Sequence, residues 1–259
     1  MENIQPKVSI ITPSYNQGQF IAYTIESVLN QTYPNIEYIV VDGGSTDDTM
    51  QVVERYTDRI DLVIHEKDKG QSDAINKGFK AATGELVGWI NSDDVLYKDC
   101  VERIVELYIK NPSGSIYYGS RLTILDKNNV ESGVIKVDIP GKDHLVSRNY
   151  DVIQPGSFYS LELVKKVGYL NESIHFSMDL DLWLRLLDKA PIYTFSEKPI
   201  ACIRKWENTK TSTGNKLFFQ DIVKTLKKHG ANSFNMTLLK LRFYLFKEFV
   251  KHSFRMQNA

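Results

Sequence analysis

The chain has 259 residues, 42% of them hydrophobic, and balances 32 Lys and Arg against 32 Asp and Glu. That length can bury a sizeable core, and zero net charge gives no global reason to expect a nucleic-acid partner. Cys100 and Cys202 form no metal or redox spacing and no disulfide framework, and no apolar run approaches the roughly 20 residues of a membrane span. The polar Met1–Lys7 stretch runs straight into a strand and does not read as a signal peptide, so the expectation is a cytoplasmic protein, soluble or peripherally bound.

The first half alternates strands and helices. Val8–Thr12 is a short β-branched run, and Ile21, Ile25, Val28 and Leu29 then fall on one helical face. Ile36–Val41 is a nearly continuous apolar run, as in a parallel strand covered on both faces. Thr46–Tyr56 reads as a helix, Asp61–His65 as a strand, and Gln71–Ala82 as a helix with Ala74, Gly78 and Ala82 on a narrow stripe. Glu85–Ile90 is a fourth strand, and a helix through Val101, Ile104, Val105 and Tyr108 stops at Asn111-Pro112. This order predicts an α/β fold with a doubly wound, mostly parallel sheet and helices on both faces. Beyond Gly114, Ser115–Leu125 and Val130–Val137 predict a smaller antiparallel element around an Asp126–Asn129 turn. Leu161–Val167 and Asp179–Leu187 read as short helices and Ile192–Arg204 as an extended segment with Pro199 inside it. The expected organisation is one domain over 1–214, with halves at about 1–125 and 126–214, and a basic helical C-terminal tail over 215–259.

In such a sheet ligands gather at the carboxyl ends of the strands. Three polar motifs fall there: Pro13–Asn16, Asp42–Ser45 and Asn91–Asp94. Asp42-Gly43-Gly44-Ser45 alone would pass as a tight turn capping a helix; its recurrence alongside the others on one sheet edge argues for a site. Carboxylates emerging from a buried strand at Asp93 suit a hard divalent cation, Mn²⁺ or Mg²⁺, when a diphosphate supplies further oxygens. Asp94 reads equally well as structural. Asp179 sits near a helix start, where the helix dipole favours an acid whatever its role.

Several of these segments resemble the family 2 glycosyltransferases of the GT-A fold: Pro13-Ser14-Tyr15-Asn16, Ile25 to Pro34 and Val40 to Asp47. Lys69 to Gly78 and Trp89-Ile90-Asn91-Ser92-Asp93-Asp94 are similar to the branch of bacterial O-antigen and polysaccharide sugar transferases. The resemblance implies an inverting transfer of a sugar from a nucleotide-sugar donor, a UDP-sugar by expectation, to a hydroxyl of a saccharide or polyprenyl-diphosphate-linked saccharide. It places Thr12, Pro13, Tyr15, Asp42, Gly43, Gly70, Asp73, Asn76 and Ser92 around the nucleotide-sugar, with Asp42 accepting from the base. Asp93, with Asn91, is implied as metal ligand and Asp179 as catalytic base, Asp181 being the alternative base. Three departures stand out: Asn91 replaces the first acid of the metal motif, Met178 precedes Asp179 where the base motif often begins Glu-Asp, and Arg204-Lys205-Trp206 replaces an Arg-x-His, leaving Arg204 or Lys205 as candidate phosphate partners.

In the tail only Asp221 and Glu248 are acidic after Lys216, while Lys240, Lys247, Lys251 and Arg255 share a helical face. That pattern suits either packing on protein or an anionic membrane surface. A dinucleotide-dependent oxidoreductase is opposed by the lack of Gly-x-Gly-x-x-Gly after the first strand. A nucleotidyltransferase is opposed by the lack of a Gly-rich basic loop there, and a non-catalytic nucleotide-sugar binder remains the alternative function.

Overall fold

A computed structural model describes residues 5–207, 209, 215–232, 235 and 237–243. Val8–Ser14 (β1) is buried along its whole length and lies between two parallel neighbours, Ile36–Asp42 (β2) and Leu86–Trp89 (β4). Leu62–His65 (β3) extends the sheet beyond β2, also in parallel. Helices Ile21–Leu29 (α1), Thr49–Glu54 (α2) and Gln71–Ala81 (α3) form the crossovers. The helix α3 comes so close to β1 that a Cβ on Gly78 would stand 2.6 Å from Ile11 Cγ2, which is why the small-residue stripe is there. The helix expected from Thr46 begins only at Thr49, because Asn16 and Asp47 tie residues 46–49 into a loop.

The sheet has seven strands. Ser157–Ser160 (β9) lies antiparallel between β4 and Ile116–Gly119 (β6), and Ile192–Phe195 (β10) closes the edge parallel to β6. A second, four-stranded sheet orders Val95–Leu96 (β5), Ala201–Arg204 (β11), Arg121–Leu125 (β7) and Glu131–Lys136 (β8). The β7–β8 hairpin is the antiparallel element expected from the sequence.

Both long extended segments therefore divide between sheets. Ser115–Leu125 breaks at Gly119-Ser120 into β6 and β7, and Ile192–Arg204 breaks around Pro199 into β10 and β11. The two run side by side, β10 with β6 and β11 with β7. Gly119 is needed at the crossing, since a Cβ there would lie 2.7 Å from Ile200 Cγ1.

Helix Cys100–Lys110 (α4) packs on β6 and Leu161–Lys166 (α6) on β9, with Lys142–Ser147 (α5) between them in the chain. Met178–Leu187 (α7) buries Leu182, Trp183, Leu184 and Leu186, with the Trp183 indole N–H donating to the Tyr159 hydroxyl at 3.0 Å. Helix Asn215–Lys228 (α8) packs on α7 and buries Ile222 and Leu226, so this part of the tail is integral to the domain. Residues 244–259, which carry Lys247, Lys251 and Arg255, lie outside the described residues. Among the described residues no helix is long and apolar enough to cross a membrane.

Candidate functional site

The β2 end is organised by Asp42, whose side chain is 0% exposed. Its Oδ2 accepts from the backbone N–H groups of Gly44 (3.0 Å) and Ser45 (2.8 Å) and pairs with His65 Nδ1 (2.8 Å), while Oδ1 accepts from the Ser45 hydroxyl (2.5 Å). These bonds fix a loop in which Gly44 takes φ 86°, a conformation that suits glycine. The expected base contact at Asp42 thus meets a carboxylate already engaged by its own turn and by His65.

The neighbouring Gly43 leaves room that another carboxylate fills. A Cβ at Gly43 would stand 2.2 Å from Asp68 Oδ2. Asp68 Oδ1 accepts from the Gly70 N–H at 2.8 Å, and Oδ2 takes no hydrogen bond among the described residues. Sequence reading passed over Asp68; its signal was an acid two residues before the glycine that opens α3.

The β1 end is stitched to the same loop. Asn16, at φ 52°, donates its backbone N–H to Ser45 Oγ and accepts from the Thr46 N–H. Tyr15 projects outward, 59% exposed, a flat ring at the rim. Pro13 is buried beneath it, and Thr12 turns its hydroxyl inward to Tyr38 at 3.0 Å. Gly70 begins α3 at φ 123°, and the Asp73 carboxylate accepts from the Lys69 N–H at 3.0 Å. Asn76 is spent elsewhere: its amide bonds both the N–H and the carbonyl of Leu170, which holds the 170–172 segment on α3.

At the β4 end, Asn91, Asp93 and Asp94 divide the labour. The Asn91 amide donates to Asp94 Oδ2 (3.0 Å) and Gln154 Oε1 (3.1 Å) and accepts from Gln71 Nε2 (2.9 Å). Asp94, nearly fully buried, also accepts from the Arg204 backbone N–H at 2.9 Å, a structural assignment. Burial and then the charge of Asp93 push the Asp94 carboxyl well above the usual range, and burial also raises Asp93. Ser92 is buried between the two acids and β4.

The departure at Arg204-Lys205-Trp206 has a structural consequence. Arg204, 2% exposed, donates from Nε to the Asp93 carbonyl and from Nη1 to the Asp126 carbonyl, with its guanidinium 4.7 Å from the Phe20 ring centroid. Nε and Nη1 of Arg204 thus hold loops together. The Trp206 indole N–H donates to Asp93 Oδ2 at 3.2 Å. An indole N–H cannot ligate a metal; it can fix the rotamer of a carboxylate that does. Among the described residues no group of three or more His, Cys, Asp or Glu could hold a metal. A lone carboxylate desolvated by burial fits a divalent cation whose remaining ligands come from a diphosphate.

Asp179 lies in the first turn of α7 and shares a cavity of about 540 Å³ with Trp89, Asn91, Gln154 and Phe176. Asp181, two residues on, points away into the protein. It is fully buried and bonded to Arg185 (2.7 Å), Lys228 (3.0 Å) and His229 (3.0 Å). Burial would raise its carboxyl, but these donors and charges hold it far below the ordinary range. Asp181 is a packing residue, and Asp179 is the acid of α7 that reaches the cavity.

A mostly parallel sheet with buried acids at its strand ends, closed by a small second sheet, is the GT-A architecture. Residues 9–167 match the family described as glycosyl transferase family 2, and the chain belongs to that family. An uncharacterized glycosyltransferase of Rickettsia typhi is 31% identical over 200 residues, 73% of this chain and 61% of the relative. A putative teichuronic acid biosynthesis glycosyltransferase of Bacillus subtilis is 37% identical over 129 residues, 49% of this chain and 51% of the relative. The chain spans from about a third to three-fifths of the length of the Rickettsia relatives it matches. Among solved structures, S. aureus TarS 1–349 in complex with UDP-GlcNAc superposes at TM-score 0.69 with 21% identity, covering 92% of this chain and 70% of that one. The Pyrobaculum calidifontis mannosyltransferase PcManGT, in complex with GDP-Man and Mn²⁺, superposes at 0.65 with 19% identity, covering 94% and 70%. At those identities the likeness shows the fold.

Proposed function

We propose that this glycosyltransferase moves a sugar from a UDP-sugar to a hydroxyl of a saccharide, or of a saccharide carried on polyprenyl diphosphate, with inversion at the anomeric carbon. The observation that carries the reading is a single cavity bounded on one side by the β4 end that presents Asn91 and on the other by Asp179. The relative named for teichuronic acid biosynthesis supports a surface polysaccharide, O-antigen included, as the product class.

The residues divide into donor and acceptor tasks. Tyr15, Pro13 and the Asp42–Ser45 loop form the base end of the donor site, with Asp42 setting the loop and Asp68 offering the open carboxylate oxygen to a uracil imide N–H. Gly70, Asp73 and Ser92 border the donor sugar and diphosphate. Asp93, with Asn91 beside it, would hold Mn²⁺ or Mg²⁺, whose positive charge would offset the charge that grows on the departing diphosphate. Asp179, in the first turn of α7, takes the acceptor hydroxyl proton. The hydroxyl oxygen bonds to the anomeric carbon from the face opposite the diphosphate, whose oxygen leaves with the bonding pair. An α-linked donor therefore gives a β-linked product, by analogy with inverting hydrolysis.

The test is calorimetric titration of UDP, GDP and dTDP with and without Mn²⁺ on wild type and Asp93→Ala. UDP binding that strengthens with Mn²⁺ and loses that gain in Asp93→Ala is expected. Binding indifferent to both metal and Asp93 would overturn the ligand assignment and favour a metal-independent enzyme or the non-catalytic binder.

A further inference from the structure

Helix α8 reaches the catalytic side of the molecule by three routes that the sequence does not advertise. Asp221 Oδ2 accepts from the backbone N–H groups of His175 (3.2 Å) and Phe176 (3.1 Å). One turn further, the Thr225 hydroxyl bonds that of Ser177 at 2.8 Å, both buried. Ser177 is the residue from which α7 springs, and Asp179 lies in the first turn of that helix. On the same side of α8, Phe218 and Ile222 line the Asp179 cavity, with Phe218 edge-on to Phe176 at 6.0 Å.

These contacts have one geometric effect. The 175–177 segment has no strand or helix of its own, so its backbone direction is set by what its N–H groups bind. A carboxylate accepting two successive N–H groups is a charge-assisted clamp, and the hydroxyl pair pins the next residue. The clamp fixes where α7 starts, and so where the Asp179 carboxylate stands relative to the β4 end.

We propose that α8 belongs to the catalytic apparatus, with Asp221 and Thr225 as positioning residues for Asp179 and Phe218 and Ile222 as the acceptor-side wall. The proposal rests on Asp179 being the base. It makes α8 a determinant of turnover and acceptor fit, while the nucleotide end, built from β1, β2 and β4, is independent of it.

The experiment measures UDP release from UDP-Glc, UDP-Gal, UDP-GlcNAc and UDP-GalNAc, water serving as acceptor, and follows the one that wild type hydrolyses fastest. Asp221→Ala is expected to lower kcat tenfold or more with UDP affinity unchanged and to speed amide exchange at His175 and Phe176. Asp221→Asn, whose amide oxygen still accepts both N–H groups, is expected to restore kcat to within about threefold. Thr225→Val, similar in shape, is expected to lower kcat severalfold and serves if Asp221→Ala does not fold. A kcat equal to wild type in Asp221→Ala, or in Thr225→Val where Asp221→Ala cannot be assayed, overturns the proposal while Asp179→Asn remains inactive. If Asp179→Asn hydrolyses as fast as wild type, or wild type hydrolyses none of the four donors, the base reading falls and this inference with it.

Discussion

Two aspartates one turn-fraction apart, Asp179 and Asp181, should separate cleanly into a chemical and a structural role. Asp181→Asn keeps one acceptor oxygen but removes the charge that balances Arg185 and Lys228. Lys228 is about half exposed and returns to water at little cost, so the loss falls mainly on Arg185, 18% exposed and still bonded to the Val167 carbonyl. Breaking a buried pair typically costs 3–5 kcal/mol. With the retained oxygen and the freed lysine, about 2–3 kcal/mol is expected here, or roughly 5–10 °C in Tm for a chain of this size. Thermal and urea unfolding measure it, and UDP-sugar turnover well below Tm should stay within about threefold of wild type. Asp179→Asn should do the reverse, leaving Tm within a degree or so and reducing turnover by roughly 10³ or more. If Asp181→Asn abolishes turnover with Tm unchanged, the assignment of the two acids is wrong.

Trp206→Phe keeps the ring against Phe20 but loses the N–H on Asp93; Mn²⁺-supported UDP binding should weaken about 3–10-fold by calorimetry, the worth of about one hydrogen bond, with metal-free binding unaltered. Gly78→Ala gains about 1 kcal/mol of helix propensity but drives a methyl into Ile11, so a net loss of about 1 kcal/mol in urea unfolding is expected; a more stable variant would refute the close-packing argument. Burial would raise Glu37, but hydrogen bonds from Lys7, Ser9 and Thr83 prevail and bring it from an ordinary 4.5 to about 2. Because the folded value is the lower one, its stabilisation is full above about pH 4.5 and is lost as pH falls to about 2, so Glu37→Gln should flatten the acid limb of stability against pH.

What the sequence revealed was whatever is local. The apolar runs of β1, β2 and β4 and the polar motifs that end them lie within a few residues of one another, so periodicity and spacing located them. The strand β9 was missed because Ser157–Ser160 is four residues long and has meaning only between β4 and β6. The division of β6 from β7 at Gly119 depends on Ile200, some eighty residues away, and no window along the chain contains both. Asp42 stands out in the sequence as an acid at a strand end, and its expected base contact comes from the family resemblance alone. Its burial and its bond to His65 on the neighbouring strand, together with the Asp68 carboxylate against Gly43, appear only when β2 and β3 are laid side by side.

The acid pair at the β4 end shows why the second sheet matters to the first. Asp93 and Asp94 sit on a short turn between β4 and β5, where Asn91 bonds the Asp94 carboxylate and the Thr24 hydroxyl bonds its carbonyl. The strand β5 pairs antiparallel with β11, Leu96 opposite Ala201 and Val95 opposite Cys202, which brings Arg204 and Trp206 back alongside the turn. From there the Arg204 backbone N–H holds the Asp94 carboxylate, its guanidinium holds the Asp93 carbonyl, and Trp206 holds the Asp93 carboxylate. Four-residue β11 is in turn fixed by β7, which exists only because the chain leaves the main sheet at Gly119. The orientation of the candidate metal ligand is therefore a property of two strand crossings more than of the Asn-Ser-Asp-Asp sequence itself, and a chain with the same motif but an unbroken β6 could not hold its acids this way.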